Sequence, residues 1–289
     1  MKAHIVTPLY DRNSNAIIAR LARHLEKGNG WTVHAVPNSH AVVNVFIPYT
    51  EWRRTKWRRT LTAAWFTHKE LPTTEGGACL RRWEIASRAV DLRVTPARMY
   101  LTGLMEDGRA VQISHPVELE HFTPQKHRAH KRPVIGVAGR VYKGGRKGEG
   151  LVKRLARDGR WKVIASGQGW PVPCTKRAWK DMPDFYRTLN IFLCTSQIEG
   201  GPVTVLEALA CGVPVVIPTG VGAMDELPNM PGIWRYDKGD YDSMIDSINY
   251  AIDWPMLPEQ LRAVVEDCTA ARWCQQWRQA LELLVAEMA

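Results

Sequence analysis

The sequence predicts an α/β protein built from two Rossmann-like domains, and three observations carry that expectation. Short apolar runs alternate with amphipathic helical periods, the pattern of parallel sheets covered on both faces. The alternation runs once through the first third of the chain and restarts at Pro133-Val134-Ile135-Gly136-Val137-Ala138. The length of 289 residues exceeds one typical domain and suits two of about 100–150 residues each.

In the first domain, apolar runs predict strands at 3–7, 32–36, 42–47, 63–67, 92–95 and 110–113. Ile18, Leu21, Ala22 and Leu25 share one face of a helix that Gly28 and Gly30 end, and further helices are expected near 78–89 and 96–106. In the second domain, strands are expected from 133 onward and at 161–165, 191–194, 213–217 and 233–236, and a last helical period runs from Ala271 to Met288. The domains are placed at 1–125, joined by a helix at 270–289, and at 126–269.

Composition narrows the class. A hydrophobic content of 45% supplies two cores. No apolar run approaches the roughly 20 residues a membrane-spanning helix needs, and Met1-Lys2-Ala3-His4-Ile5-Val6 leads straight into a strand rather than a signal peptide. A cytoplasmic protein, soluble or peripheral, is expected. The cysteines at 79, 174, 194, 211, 268 and 274 form no C-x-x-C pair, so packed, reduced thiols are the expectation. Charge is concentrated: residues 1–125 are net +6, residues 126–180 net +14 and residues 181–289 net −10, which sums to +10. Such a one-sided positive field attracts a polyanion or an anionic membrane.

The most telling segment is Glu199-Gly200-Gly201-Pro202-Val203-Thr204-Val205-Leu206-Glu207. It sets two carboxylates eight positions apart, one in a glycine-rich loop and one inside the helix that the loop opens. Pro202 suits the first helical turn, and Gly212 ends the helix. A bare backbone lets a ligand approach Glu199, Glu207 reaches a second part of it, and the helix start between them offers N–H groups and a positive dipole end to an anion. A sugar nucleotide has these parts: hydroxyls at one end, a diphosphate in the middle, a ribose diol at the other.

The whole string from Ser196 to Val216, closing in Gly212-Val213-Pro214 before an apolar strand, resembles the E-x7-E signature of retaining GT-B glycosyltransferases, family 4 (glycosyl transferases group 1). The resemblance extends over residues 130–250 and is looser in the first domain. It implies two Rossmann-like domains facing across a cleft, a helix at the C-terminus crossing back to the first domain, and a nucleotide-sugar co-substrate, UDP-linked by family frequency. Residues 115–124 resemble the family's linker, with His115-Pro116 in place of a glycine and Glu118 in place of an aspartate. By motif position, Glu199 contacts hydroxyls of the donor sugar and Glu207 accepts from the ribose diol. The backbone of Gly200, Gly201, Pro202, Val203 and Thr204 lines the phosphate and sugar. No cofactor and no obligate protein partner are implied.

Gly139 to Gly148 follows a strand and precedes a helix, so its cations stand at the carboxyl edge of a sheet, where they favour a leaving diphosphate. Arg140 and Lys147 resemble the family's diphosphate-clasping pair. Their spacing of seven is one longer than a common form, so Lys143 or Arg146 shares the role as an alternative. His68, just after an apolar strand, resembles the histidine that lines the reaction centre in relatives. The family's glycine-rich first loop is missing, and Asn13, Ser14 and Asn15 stand there instead. Asp240-Tyr241-Asp242 spells a D-x-D, but its place before a helical period makes it a helix cap, and no metal is expected.

Two basic-aromatic stretches bear on the acceptor. Residues 49–60 carry Trp52, Arg53, Arg54, Lys56, Trp57, Arg58 and Arg59, and residues 170–180 carry Lys176 and Arg177 between Trp170 and Trp179. They read as a nucleic-acid surface, as a membrane-surface helix with Trp at the interface, or as a solvated basic face. Positive stretches in both domains favour duplex DNA, with a hydroxymethylated base presented out of the stack as acceptor. An anionic membrane surface with a lipid-linked or polysaccharide acceptor is the alternative.

Overall fold

The computed structural model describes residues 1–8, 16–53, 60–70, 77–125, 130–142 and 144–289. The expectations for Asn13, Ser14 and Asn15, for Arg54, Lys56, Trp57, Arg58 and Arg59, and for Lys143 lie outside the described residues. The chain divides into two compact units, Met1–Pro116 with Ala270–Ala289, and Val117–Thr269.

The first unit contains β1 (Ala3–Val6), α1 (Ile17–Asn29), β2 (Thr32–His34), β3 (Val43–Phe46), β4 (Leu61–Trp65), α2 (Ala78–Ala89), β5 (Leu92–Thr95), α3 (Arg98–Glu106) and β6 (Ala110–Gln112). They form a six-stranded parallel sheet in the order β2-β1-β3-β4-β5-β6, with Ala3 opposite Val43 and Val43 opposite Leu61. Every residue of β1, β3 and β5 is buried, including the polar His4, Asn44, Arg93 and Thr95, so both faces of these strands are covered. β4 begins two residues earlier than the apolar run suggested, so Phe66 onward is loop.

The C-terminal helix Ala270–Met288 completes this core with Trp273, Trp277, Leu281 and Leu284. Trp65, at the end of β4, meets Trp273 at 5.1 Å and Trp277 at 6.0 Å between ring centroids. The helix runs so close to α1 that a Cβ on Gly28 would fall 2.7 Å from Cys274 Sγ. Asn29 Nδ2 donates to Cys274 O at 3.0 Å, and Arg278 donates to Gly28 O at 3.0 Å, which fixes the contact.

The second unit contains β7 (Val134–Arg140), α4 (Glu149–Asp158), β8 (Lys162–Gln168), β9 (Cys174–Thr175), α5 (Met182–Arg187), β10 (Ile191–Leu193), α6 (Val203–Ala210), β11 (Val215–Pro218), β12 (Ile233–Tyr236), α7 (Tyr241–Asp253) and α8 (Pro258–Ala263). Its sheet is also parallel, in the order β12-β11-β10-β7-β8-β9. The division of the chain falls at 116/117 rather than at 125/126, because Val117 and Phe122 are buried in the core of the second unit. Within the stretch read as a basic-aromatic loop, Cys174 and Thr175 form an edge strand opposite Ala165 and Ser166. Two residues are too few for a periodic signal.

Two expectations follow for the first unit. Gly28→Val should destabilise it by about 1–3 kcal/mol through overpacking against Cys274, read by chemical denaturation; an unchanged midpoint contradicts the close helix contact. His4 is buried on β1, its Nε2 2.9 Å from Val36 O and its Nδ1 2.7 Å from Thr32 Oγ1. Burial lowers its pKa below 6.5, with His34 adding to the effect. The unfolded chain thus takes up the His4 proton more readily than the folded one, so stability should fall as pH drops through about 6.5 and below. His4→Gln should flatten this part of the pH profile; an equal slope in both proteins contradicts it.

Candidate functional site

In the second unit the chain passes from β7 outward through β8 to β9, then returns to β10 on the opposite side of β7. Ile191 and Phe192 of β10 lie opposite Ile135 and Gly136 of β7, with no strand between. The connections leaving the carboxyl ends of β7 and β10 therefore part in opposite directions, and open parallel sheets bind ligands in the crevice this creates. The segment Gly139 to Gly148 leaves β7, and the segment Ser196 to Val203 leaves β10.

One backbone and one side-chain hydrogen bond lock the two segments together. Gln197 N donates to Arg146 O at 2.8 Å, and Thr195 Oγ1 donates to Lys147 O at 2.6 Å. Gly148, at φ +64°, sits where a Cβ would lie 2.0 Å from Thr195 O, so only glycine allows this approach. The result places Lys147 Nζ on Glu199 Oε1, to which Ser196 Oγ also donates at 3.0 Å. The side chains of Lys147 and Glu199 are 15% and 11% exposed. A carboxylate this buried needs such donors, because an unpaired charge in the interior is very costly.

Lys147, seven residues after Arg140, pairs with Glu199. Arg146 lies instead over the Tyr142 ring at 5.4 Å, and the exposed Arg140 lies over the same ring at 5.6 Å. Gly139, at φ +107°, takes a backbone conformation that residues with a side chain rarely adopt.

On the β10 side, Ala223 N donates to Gly200 O at 2.7 Å, holding the glycine loop against the segment that follows β11. Pro202 is the residue before α6 rather than within its first turn, with extended backbone at ψ 96°. The N–H groups of Val203 and Thr204 consequently belong to the first turn of α6, where no intrahelical acceptor exists. Gly201 and Thr204 are half-buried and Val203 is buried. Glu207, buried one turn further on, accepts a hydrogen bond on Oε2 from Tyr186 Oη at 2.7 Å. Burial raises the pKa values of the nearby Cys194 thiol and Tyr236 phenol. Neither becomes an anion that would compete with a phosphate.

The remaining predicted residues are placed differently. Of the 170–180 stretch, Trp170 is buried and donates from Nε1 to Gly139 O at 2.9 Å. Arg177 packs 4.9 Å above Phe185 and donates to Ala165 O at 3.3 Å, and half-buried Trp179 stacks on His121 at 3.8 Å. Lys176 is exposed. Three side chains read as a ligand surface are therefore engaged within their own unit. In the first unit Trp52 packs half-buried against the cluster of Phe46, Tyr49 and Phe66, and Arg53 donates to Ala35 O at 2.7 Å. His68 lies three residues past β4, with Nε2 2.9 Å from Glu70 Oε1 and Nδ1 3.2 Å from Thr67 Oγ1. The histidine thus carries an orienting carboxylate, a pairing that its sequence position alone did not reveal.

Asp240 is the cap of α7: its Oδ1 accepts from Asp242 N at 2.8 Å and Ser243 N at 3.0 Å. Among the described residues, no cluster of three or more His, Cys, Asp or Glu side chains could hold a metal, and no helix is long and apolar enough to cross a membrane. Sequence reasoning missed the parts played by Ser196 and Tyr186. Ser196 carried a signal, three positions before Glu199; Tyr186 carried none, since only the fold brings it to Glu207.

Residues 173–265, which include both glutamates, match the family model described as Glycosyl transferases group 1. This bears out the resemblance read from the Glu199–Glu207 string. A stretch of 47 residues is 51% identical to the lipopolysaccharide core biosynthesis mannosyltransferase LpsB of Rhizobium meliloti (strain 1021); it covers 16% of this chain and 13% of that protein. Over the whole chain the likeness is structural. Sucrose-phosphate synthase from Thermosynechococcus elongatus superposes with a TM-score of 0.81 at 13% identity, covering 99% of this chain and 100% of that one. HepE of Anabaena in complex with UDP-glucose superposes with a TM-score of 0.75 at 13% identity, covering 98% and 99%. The fold is that of the GT-B glycosyltransferases.

The ion pair makes a prediction that is independent of function. Lys147→Met should destabilise the second unit by about 1–3 kcal/mol near neutral pH, because the buried Glu199 carboxylate loses one charged hydrogen-bond donor. Lys147→Met with Glu199→Gln should recover part of the loss. Denaturant titration reads both, and a Lys147→Met protein as stable as the parent contradicts the pairing.

Proposed function

We propose that the protein transfers a sugar from a nucleotide-sugar donor, UDP-linked, to an acceptor hydroxyl with retention of anomeric configuration and without a metal ion. The observation that carries this reading is the convergence of Lys147 and Ser196 on Glu199, at the strand crossover where α/β sheets take ligands, beside the first turn of α6. The donor diphosphate would lie between Lys147, Arg140 and the N–H groups of Val203 and Thr204. Glu199 would then face the sugar hydroxyls and Glu207 the ribose diol.

Negative charge grows on the diphosphate as the bond from the anomeric carbon to its oxygen breaks, and fixed cations and helix-terminal N–H groups stabilise that charge without reorganising. The acceptor oxygen bonds to the same face of the anomeric carbon, and its proton passes to the departing phosphate oxygen. The ion pair already holds Lys147 at its post, so little side-chain ordering accompanies donor binding. His68, oriented by Glu70, is proposed to line the acceptor side of the reaction centre.

For the acceptor, a saccharide hydroxyl in a lipid-linked or polysaccharide chain is the reading best supported. Trp170, Arg177 and Trp179 are engaged inside their own unit, which weakens the case for a base-stacking surface, and the matched relative is named for lipopolysaccharide core biosynthesis. A hydroxymethylated base in duplex DNA remains the second reading, supported by the +14 charge of residues 126–180 and the exposed Lys176.

Release of UDP from candidate UDP-sugars, measured alone, with oligosaccharide, with acceptor-bearing vesicles and with hydroxymethylated duplex, tests both donor and acceptor. Lys147→Ala and Glu199→Ala should each lower turnover by about 100-fold or more. Near-parental rates would remove these residues from the chemistry. Turnover should persist in excess EDTA, and its collapse would contradict metal independence.

A further inference from the structure

We infer that Tyr186 is a positioning residue for Glu207 and that, through it, the protein distinguishes ribonucleotides from deoxyribonucleotides; this rests on the donor site proposed above. The hydroxyl of Tyr186 donates to Glu207 Oε2 at 2.7 Å, and both residues are buried, at 0% and 3% exposure. Their sequence separation is 21 positions, and different elements present them, Tyr186 from α5 and Glu207 from α6.

The aromatic ring is itself held fast. Phe122 and Phe192 pack edge-on against it at 6.0 Å and 5.5 Å, and Phe185 lies at 5.5 Å. A phenol with two side-chain torsions, enclosed on these sides, has little freedom, so its hydroxyl is a fixed donor. The carboxylate it bonds is on a short helix, and its side chain has three torsions of its own. Holding one oxygen restricts how far the carboxylate can swing, and an ionised carboxylate has about four acceptor sites in all.

That geometry matters for selectivity. A site built to accept hydrogen bonds from a diol rejects an analogue lacking one hydroxyl, because a buried acceptor is then left unsatisfied. The rejection is sharp only if the acceptor cannot swing to another partner. Tyr186 supplies this restraint, so removing its hydroxyl should blunt the discrimination and leave the diphosphate contacts intact.

The test is Tyr186→Phe, which keeps the ring and its packing, with UDP and 2′-deoxy-UDP as probes in calorimetric titrations. The parent protein should prefer UDP by about tenfold or more, and Tyr186→Phe should reduce that preference by about three- to tenfold. Affinity for 2′-deoxy-UDP should stay near the parental value, which shows the site to be folded. Glu207→Gln should lose the preference to at least the same extent. If Tyr186→Phe keeps the full preference, the inference fails while the donor site stands. Equal loss of affinity for both probes also overturns it, because that is the signature of a merely structural tyrosine. If the parent does not discriminate, the link from Glu207 to the ribose fails and the inference with it; if the parent binds neither probe, the donor reading itself fails.

Discussion

A carboxylate buried at the end of a strand has to be answered by a positive charge, and the second unit is arranged around that requirement. Glu199 lies in a loop leaving β10, and its partner Lys147 lies in a loop leaving β7. Parallel pairing of the two strands puts those loops side by side, and Gly148, Gln197 N and the Thr195 hydroxyl close the remaining gap. The cost of burying Glu199 without donors favours this arrangement, and the same lysine is the cation proposed to meet a diphosphate. Under the proposed function, folding and ligand recognition share this interaction.

Glycine serves this arrangement in two ways. At Gly148 it permits a left-handed backbone against the carbonyl of Thr195, and at Gly222, at φ +59°, it lets the next segment approach the carbonyls of Glu199 and Gly200, where a Cβ would fall 2.5 and 2.6 Å away. Without these approaches, the Glu199 loop would lose its close supports. Two larger residues hold the site from behind: Tyr186 donates to the Glu207 carboxylate, and Trp170 donates to the carbonyl of Gly139 at the exit of β7.

Much of this was legible in the sequence because it is local. Buried parallel strands announce themselves as apolar runs, and β5, β12 and α2 fall where the pattern put them. The Glu199–Glu207 string encodes loop, helix start and both carboxylates within nine residues. What escaped depends on long-range pairing. The pattern of residues 170–180 looked like a ligand surface, because a tryptophan that donates to a distant carbonyl and one that faces solvent have the same neighbours in sequence. β9 was too short to show a period, and Val117 and Phe122 looked like linker until the core they fill was present. Tyr186 and Glu207 are joined only by the packing of α5 and α6.

The proposed chemistry requires a nucleoside diphosphate to bind in the crevice between the ends of β7 and β10. Hydrogen exchange followed by mass spectrometry, with and without saturating UDP, tests this directly. The arrangement predicts slowed exchange in peptides covering 139–148 and 196–207, whose backbone N–H groups and loops would close over the ligand. Unchanged exchange in both segments at saturation, with protection confined to other parts of the chain, would contradict it.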